Sequence, residues 1–252
     1  MLKEIRKEIR VIREKEEIIL PDNIKKQINE HWNKSIKENP NLFNGEIWTV
    51  TKLEEEEKEI IFTIKKTNYA HYLYGERVGL DKKYSCFNLN CGILLETKDR
   101  YYIIGEMDKT TSYPGGLQIS GGNLDQNDIK TNGEVDIVNN VARELKEELN
   151  IDLFDKNIVE SFKFKYLEYP EGRRCAYTFI MKGKLTLTSE EVKKRFSEYL
   201  KYLIKTRGEI EFSKLHFLKC EKADEELKKL NNPKREYLET LISMDMKDRG
   251  IK

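Results

Sequence analysis

The segment 134–149 constrains the fold most, because its apolar and acidic side chains separate onto two sides of a helix. The apolar ones recur at helical spacing, at Val138, Val141, Ala142, Leu145 and Leu149. Such a stripe must be buried against another layer. Glu144, Glu147 and Glu148 follow the i, i+3, i+4 spacing that brings three carboxylates together. Oxygen-only clusters suit Mg²⁺ or Mn²⁺, although a solvated amphipathic helix has the same charge spacing.

Strand and helix patterns alternate along the whole chain, and short turns join several neighbouring strands. Strands are predicted at 8–19, 46–53, 59–65, 86–96, 101–106, 158–168, 174–185 and 211–219. Further helices are predicted at 22–38, near 69–75, at 189–206 and from Pro233 to about Met246. This order predicts an α/β fold in which helices pack on the faces of a mixed sheet.

Charge and composition exclude several classes of protein. The 46 basic and 45 acidic side chains leave a net charge of +1, which argues against nucleic acid as a partner. No apolar run is long enough for a membrane span, and the charged first residues do not resemble a signal peptide. The four cysteines show no metal-binding spacing, so we expect free thiols and a cytoplasmic location.

The acidic helix and the glycines before it resemble the Nudix box, whose pattern is Gly-x5-Glu-x7-Arg-Glu-U-x-Glu-Glu-x-Gly-U, where U is aliphatic. The run from Arg143 to Glu148 matches fully, and Ile151 fills the last aliphatic position. Asn150 replaces the closing glycine, and Asn is the usual second choice for a left-handed residue after a helix. Eleven residues separate Gly122 from Glu134 instead of five, and eight separate Glu134 from Arg143 instead of seven.

The resemblance implies a fold, a cofactor and a set of roles. The fold is a Nudix-type α/β/α sandwich around a mixed sheet, spanning 84–252, with an N-terminal α/β extension over 1–83. Mg²⁺ or Mn²⁺ would bind the carboxylates and the Gly121 carbonyl, and Arg143 would form an ion pair with Glu134. The metal-binding carboxylates implied are Glu144, Glu147 and Glu148.

The resemblance also implies an activity, the hydrolysis of the diphosphate bond of a small nucleoside diphosphate derivative. The catalytic candidates are Glu147 and Glu148 on the helix and Glu211 on a later loop. We choose Glu211 as the general base over the other later acids, which are Glu168, Glu171 and Glu209.

The stretch from Tyr113 to Gly122, together with Asn41–Gly45 and Thr67–Tyr69, resembles a Nudix branch that hydrolyses UDP-sugars. That branch also carries an extra N-terminal domain. The likeness implies UMP and a sugar 1-phosphate as products. It implies substrate contacts at Tyr113, Gly115, Gly116 and Ser120.

Other functions fit parts of the same pattern. A regulatory or ligand-sensing module with the Nudix fold and no turnover would explain the lengthened loop. An ADP-ribose or dinucleotide pyrophosphatase would share the acidic helix. An RNA-cap pyrophosphatase would need a basic groove, for which the candidates are Lys229, Lys234, Arg235, Lys247 and Arg249. The sequence leaves the oligomeric state open.

Overall fold

A computed structural model describes residues 1–40, 42–171 and 175–250. Asn41, which contributes to the UDP-sugar resemblance, lies outside the described residues. The described chain contains a sheet of eleven strands. Their bounds are β1 Leu2–Glu4, β2 Glu8–Glu17, β3 Glu46–Glu55, β4 Glu59–Asn68, β5 Asn88–Glu96, β6 Tyr101–Met107, β7 Leu117–Gln118, β8 Ser120–Asn123, β9 Val159–Glu168, β10 Ala176–Leu185 and β11 Phe212–Lys219.

The sheet is mixed, as the sequence predicts. Its main path runs β1-β9-β10-β5-β3-β4-β2, while β6 pairs with β5, β7 and β11, and β8 pairs with β5. The pairs β5–β10 and β2–β4 are parallel, and the other neighbours are antiparallel. Strand β5 is therefore central, because four other strands contact it.

Helices cover both faces of this sheet. They are α1 Asp22–Glu38, α2 Tyr69–Arg77, α3 Ile137–Leu149, α4 Ser189–Thr206, α5 Ala223–Lys229 and α6 Tyr237–Asp248. Alternate residues of a strand point to opposite faces. Ile93 of β5 accordingly joins a core with α3 and α4, whereas Leu94 joins a second core with α5 and α6. The predicted α/β class, with helices packed on both faces of a mixed sheet, is confirmed.

Helix α3 begins later than predicted, at Ile137 rather than at residue 134, and the side chain of Asp136 caps it. The delay arises because the preceding segment pairs with β2. The Arg13 amide donates to the Gly133 carbonyl at 2.8 Å, and the Val135 amide donates to the Val11 carbonyl at 2.9 Å. The helix ends as predicted, because Asn150 takes the left-handed conformation at φ 53°.

Helix α6 also begins later than predicted, at Tyr237 rather than at Pro233. The residues before it extend along β7 instead. The Leu117 amide donates to the Pro233 carbonyl at 2.8 Å, and the Arg235 amide donates to the Leu117 carbonyl at 3.0 Å. This pairing holds the side chain of Arg235 beside β7.

A buried ion network fixes α6 to the sheet. It comprises Glu96, Lys182, Asp245 and Arg249. Asp245 accepts hydrogen bonds from Lys182 at 3.0 Å and from the Arg249 Nε at 2.9 Å. Burial alone would raise the pKa of Asp245, but Lys182, the Tyr102 hydroxyl and Arg249 together hold it well below its usual value.

The first four strands belong to the same sheet as the rest. Strand β1 pairs with β9 along its whole length, and β3 pairs with β5 between Thr49 and Asn88. The division of the chain at residue 83 stays a prediction, and any such boundary would have to cross a continuous sheet.

Candidate functional site

Two glycines of β8 allow the backbone to approach its neighbours closely. Gly121 has φ +148°, and a side chain there would clash with the Cys91 carbonyl. A Cβ atom at Gly122 would lie 2.6 Å from the carboxylate of Glu144. Because both positions lack a side chain, β8 can lie directly against β5 and α3.

Three carboxylates meet beside these glycines. Glu144 and Glu148 come from α3, and Glu211 immediately precedes β11. They each offer an oxygen, and these oxygens lie within 4.8 Å of one another. Glu148 Oε2 accepts a hydrogen bond from the Gly121 amide at 2.9 Å. Its Oε1 atom is buried and lacks a hydrogen-bond partner among the described residues.

The electrostatics of this carboxylate cluster favour a bound cation. The pKa of Glu144 is raised to about 7, chiefly by burial and also by the charges of Glu211 and Glu147, although Arg143 opposes the shift. Burial and Glu211 raise the pKa of Glu148 well above its usual value, and burial raises that of Glu211. Two buried acids and the half-buried Glu211, with Arg143 beside them, form an oxygen-rich site that fits Mg²⁺ or Mn²⁺.

Glu147 lies outside this cluster. Its carboxylate accepts a hydrogen bond from Arg143 at 3.2 Å, and its side chain is 53% exposed. Because a helix turns by about 100° per residue, Glu148 lies about 40° to one side of Glu144 and Glu147 about 60° to the other, away from the cluster. A metal-binding or catalytic role for Glu147 stays a prediction that this arrangement does not support.

The predicted ion pair between Arg143 and Glu134 does not form among the described residues. Arg143 instead lies 3.4 Å from the carboxylate of Asp128 and 2.9 Å from that of Glu144. Glu134 accepts a hydrogen bond from Asn132 and pairs through its backbone with Ile12 of β2. The segment containing Glu134 is held on β2, which keeps its carboxylate away from α3.

Asp128 is the acid that the sequence analysis missed. Its side chain is fully buried and also accepts a hydrogen bond from Asn140 at 2.8 Å. Five residues separate Gly122 from Asp128, which is the spacing of the first half of the Nudix pattern with Asp in place of Glu. That spacing was the available signal, and it places the extra residues between Asp128 and Arg143.

A cleft of about 580 Å³ extends from the carboxylate cluster, and Glu211, Gly121 and Gly122 line its end. Its lining cations are Arg77, Lys234 and Arg235, and its lining tyrosines include Tyr69, Tyr72 and Tyr113. The Arg235 guanidinium lies 4.4 Å from the centre of the Tyr113 ring and donates to Gln118 at 3.1 Å. Glu76, Glu211 and Glu236 line it as well, so the cleft combines charges of both signs with flat aromatic surface.

Of the four residues predicted to contact the substrate, one lines the cleft and three do not. Tyr113 lines the cleft, whereas Gly115, Gly116 and Ser120 are not among its lining residues. Gly116 provides space for the Tyr113 ring, which a side chain would overlap. Ser120 is buried within the sheet, where it pairs with Ile93 of β5. The roles of these three residues in binding stay predictions.

The structure also bears on two partner classes. Arg249, one of the five candidates for a basic groove, is committed to Glu96 and Asp245 inside the molecule. Lys234 donates to the backbone carbonyls of Leu230 and Asn232. None of the described helices combines the length and apolarity needed to cross a bilayer.

No protein-family model and no curated protein matches this chain. Several solved structures are similar to it. A NUDIX hydrolase from Nitrosomonas europaea has a TM-score of 0.40 and 14% identity, covering 65% of this chain and 72% of its own. The MutT protein from Methanosarcina mazei has a TM-score of 0.40 and 9% identity, covering 64% and 94%. An Ap4A hydrolase from C. elegans has a TM-score of 0.36 and 13% identity, covering 64% and 98%.

Proposed function

We propose that this protein is a Nudix-type, divalent-metal-dependent hydrolase that cleaves the diphosphate bond of a nucleoside diphosphate derivative. The observation that carries the proposal is the convergence of Glu144, Glu148 and Glu211 beside the two glycines at the end of the cleft. Three acids this close together, two of them buried, destabilise the fold unless a cation neutralises them. Such a cost is typical of functional sites.

Each part of the site has a chemical task in this reaction. A bound Mg²⁺ or Mn²⁺ would neutralise negative charge on the phosphate oxygens. Glu144 and Glu148 would hold it, while Arg77 and Arg235 would bind the remaining phosphate charge. Water attacks phosphorus, the bond to the bridging oxygen breaks, and that oxygen leaves on the second phosphate.

Glu211 would accept the proton of the attacking water. It is the only member of the carboxylate cluster among the described residues that line the cleft. Its raised pKa, caused first by burial and then by Glu147, brings it closer to the range in which a carboxylate is an effective base at neutral pH.

We propose a UDP-sugar as the substrate, giving UMP and a sugar 1-phosphate. The resemblance around Tyr113–Gly122 supports this choice, and the cleft volume of about 580 Å³ is in the range of small-ligand sites. The test compares kcat/KM for UDP-glucose, ADP-ribose and a diadenosine polyphosphate at equal Mg²⁺. UDP-glucose should be preferred by about tenfold or more. Preference for either other compound would refute the UDP-sugar assignment alone.

A ligand-sensing module without turnover is the second candidate, and the extra residues between Asp128 and Arg143 favour it. Those residues pair with β2, however, and they do not line the cleft. The same panel separates the two functions, because a sensor would bind a nucleotide with Mg²⁺ present and release no phosphate product.

We also propose that residues 1–83 belong to the catalytic unit. Tyr69, Tyr72 and Arg77 of α2 line the cleft, so the N-terminal region supplies both aromatic surface and positive charge. A chain that begins at Tyr84 should lose activity or solubility, because it lacks this wall and exposes the β3-facing edge of β5. A fully active shortened chain would contradict the proposal.

A further inference from the structure

The floor of the cleft carries a row of neutral polar side chains on three neighbouring strands. Asn90 of β5 is paired in register with Thr178 of β10 on one side and with Asn123 of β8 on the other. Paired residues share a face of the sheet, and Asn88 shares it too because it lies two residues before Asn90. All four line the cleft, and we call them the polar floor.

On the same face of the sheet, apolar residues separate the polar floor from Glu96 and Lys182 of the buried ion network. Further along the same strands, Leu94 and Ile180 occupy equivalent positions and are buried in the core beneath α6. Thr178 is only 4% exposed, and its hydroxyl oxygen has no hydrogen-bond partner among the described residues. An unpartnered buried hydroxyl destabilises the folded chain, and an apolar residue of the same size would avoid that loss. Folding alone therefore does not account for this row.

Asn88 orients its two neighbours. Its Nδ2 atom donates to Asn90 Oδ1 at 2.9 Å and to Asn123 Oδ1 at 2.6 Å, while its own Oδ1 accepts from the Leu89 amide at 2.9 Å. The side-chain oxygens of Asn90 and Asn123 thus each accept a hydrogen bond from Asn88. Their Nδ2 donors have no hydrogen bond within the described chain and are free to bind a ligand.

The chemistry of these free groups selects a hydroxylated ligand. Two amide donors and one hydroxyl carry no formal charge, whereas a phosphate would be matched by the cations on α2 and before α6. A nucleobase would be matched by the tyrosine rings. A sugar hydroxyl can accept from an amide and donate to the Thr178 oxygen, so it satisfies both kinds of free group.

We propose that the polar floor binds the hydroxyl groups of the sugar attached to the diphosphate. This inference rests on the proposed diphosphate hydrolysis and names the part of the substrate that sets specificity. Its position supports it, because Asn123 directly follows Gly122 and the floor therefore adjoins the end of the cleft where the carboxylate cluster lies.

The test compares two substrates that differ only in the group beyond the diphosphate, UDP-glucose and the methyl ester of uridine diphosphate. Thr178→Val removes the hydroxyl and keeps the shape of the side chain. It should lower kcat/KM for UDP-glucose about tenfold and leave the methyl ester unchanged. Asn90→Ser should act in the same direction. Thr63→Val on β4, outside the cleft, is the matched control and should change neither value.

Two outcomes overturn the inference. If Thr178→Val and Asn90→Ser lower kcat/KM equally for both substrates, the floor contacts the shared nucleoside. If neither variant changes the ratio of kcat/KM between UDP-glucose and the methyl ester, while both keep the melting temperature of the parent, the floor does not select a sugar.

Binding measurements separate this inference from the proposed function. Calorimetry with Mg²⁺ measures the affinity for UDP-glucose and for the methyl ester, and it therefore tests the polar floor even when no product forms. If the parent hydrolyses neither compound but binds UDP-glucose more tightly than the methyl ester, and Thr178→Val loses that preference, hydrolysis is refuted and sugar binding by the polar floor is supported. If the parent hydrolyses UDP-glucose and the variants keep the same preference for it over the methyl ester, hydrolysis is supported and sugar binding by the polar floor is refuted. Absence of binding to the parent would refute both.

Discussion

The carboxylate cluster and the buried ion network show two uses of acids inside one protein. Asp245 has three cations, Lys165, Lys182 and Arg249, and two tyrosine hydroxyls around it, and its pKa lies well below the usual value. Glu148 has one backbone donor and two neighbouring acids, and its pKa is raised. The comparison teaches that burial alone does not identify a functional acid, since the balance of surrounding charge separates a structural site from a metal site.

The largest expected difference concerns turnover. Glu148→Gln keeps the shape of the side chain and removes its charge, so the site can no longer hold a metal ion properly. We expect kcat to fall by roughly 100-fold or more. The melting temperature should stay equal or rise, because an unneutralised buried charge is lost. Glu160→Gln, at an exposed position of β9, is the control. A large loss of stability in Glu148→Gln would contradict the comparison.

In the buried ion network, a substitution should lower stability rather than turnover. Asp245→Asn leaves Lys182 and Arg249 with too little negative charge, and breaking a buried ion pair costs about 3–5 kcal/mol of the free energy of unfolding. Urea unfolding measures this loss, and kcat per folded molecule should change little. If Asp245→Asn is as stable as the parent, the network does not fix α6 as described.

The two sites should respond to pH with opposite sign. The folded pKa of Glu144 is raised to about 7, so the folded state binds more protons than the unfolded state between about pH 4.5 and 7. Stability should therefore fall by roughly 3 kcal/mol as pH rises through that window. The folded pKa of Asp245 is lowered, so its contribution is present above about pH 4 and is lost as pH falls below it.

Thermal unfolding from pH 3 to pH 8 measures both contributions. Added Mg²⁺ should raise the melting temperature more at pH 8 than at pH 5, because ionised carboxylates bind it. An Mg²⁺ effect that does not depend on pH would show that the carboxylate cluster is not the binding site.

The smallest expected effects concern the anchor of Arg143. Asp128→Ala would remove the buried acceptor that Asn140 and Arg143 share and should cost about 2–3 kcal/mol of stability. Glu134→Gln should change stability by less than about 0.5 kcal/mol, because its side chain contacts only the exposed loop. Equal effects of the two changes, measured by urea unfolding, would restore Glu134 as the partner of Arg143.

Features that depend on short stretches of sequence were predicted well. The left-handed Asn150 and helix α4, predicted at 189–206, follow from residues adjacent in the chain, and both are present. Helix α3 and its acidic face were predicted from spacing in the same way. These features need no knowledge of distant partners.

Features created by pairing between distant segments were not predicted. Asp128 reaches Arg143 only because the residues between them are drawn onto β2, and Arg77 enters the cleft only because α2 packs near it. Glu211 is the partial exception. It was chosen from a loop and is brought to α3 by the pairing of β11 with β6. The polar floor was visible in the sequence only as asparagines at alternate positions of an apolar strand.

The docking of residues 133–135 on β2 also covers a strand edge that could otherwise pair with a second copy of the chain. Strand β2 is the last strand of its side of the sheet, and an open strand edge is a template for pairing with a second chain. Gly133 and Val135 occupy part of that edge. Deleting the extra residues to shorten this segment would uncover a backbone ladder and favour self-association.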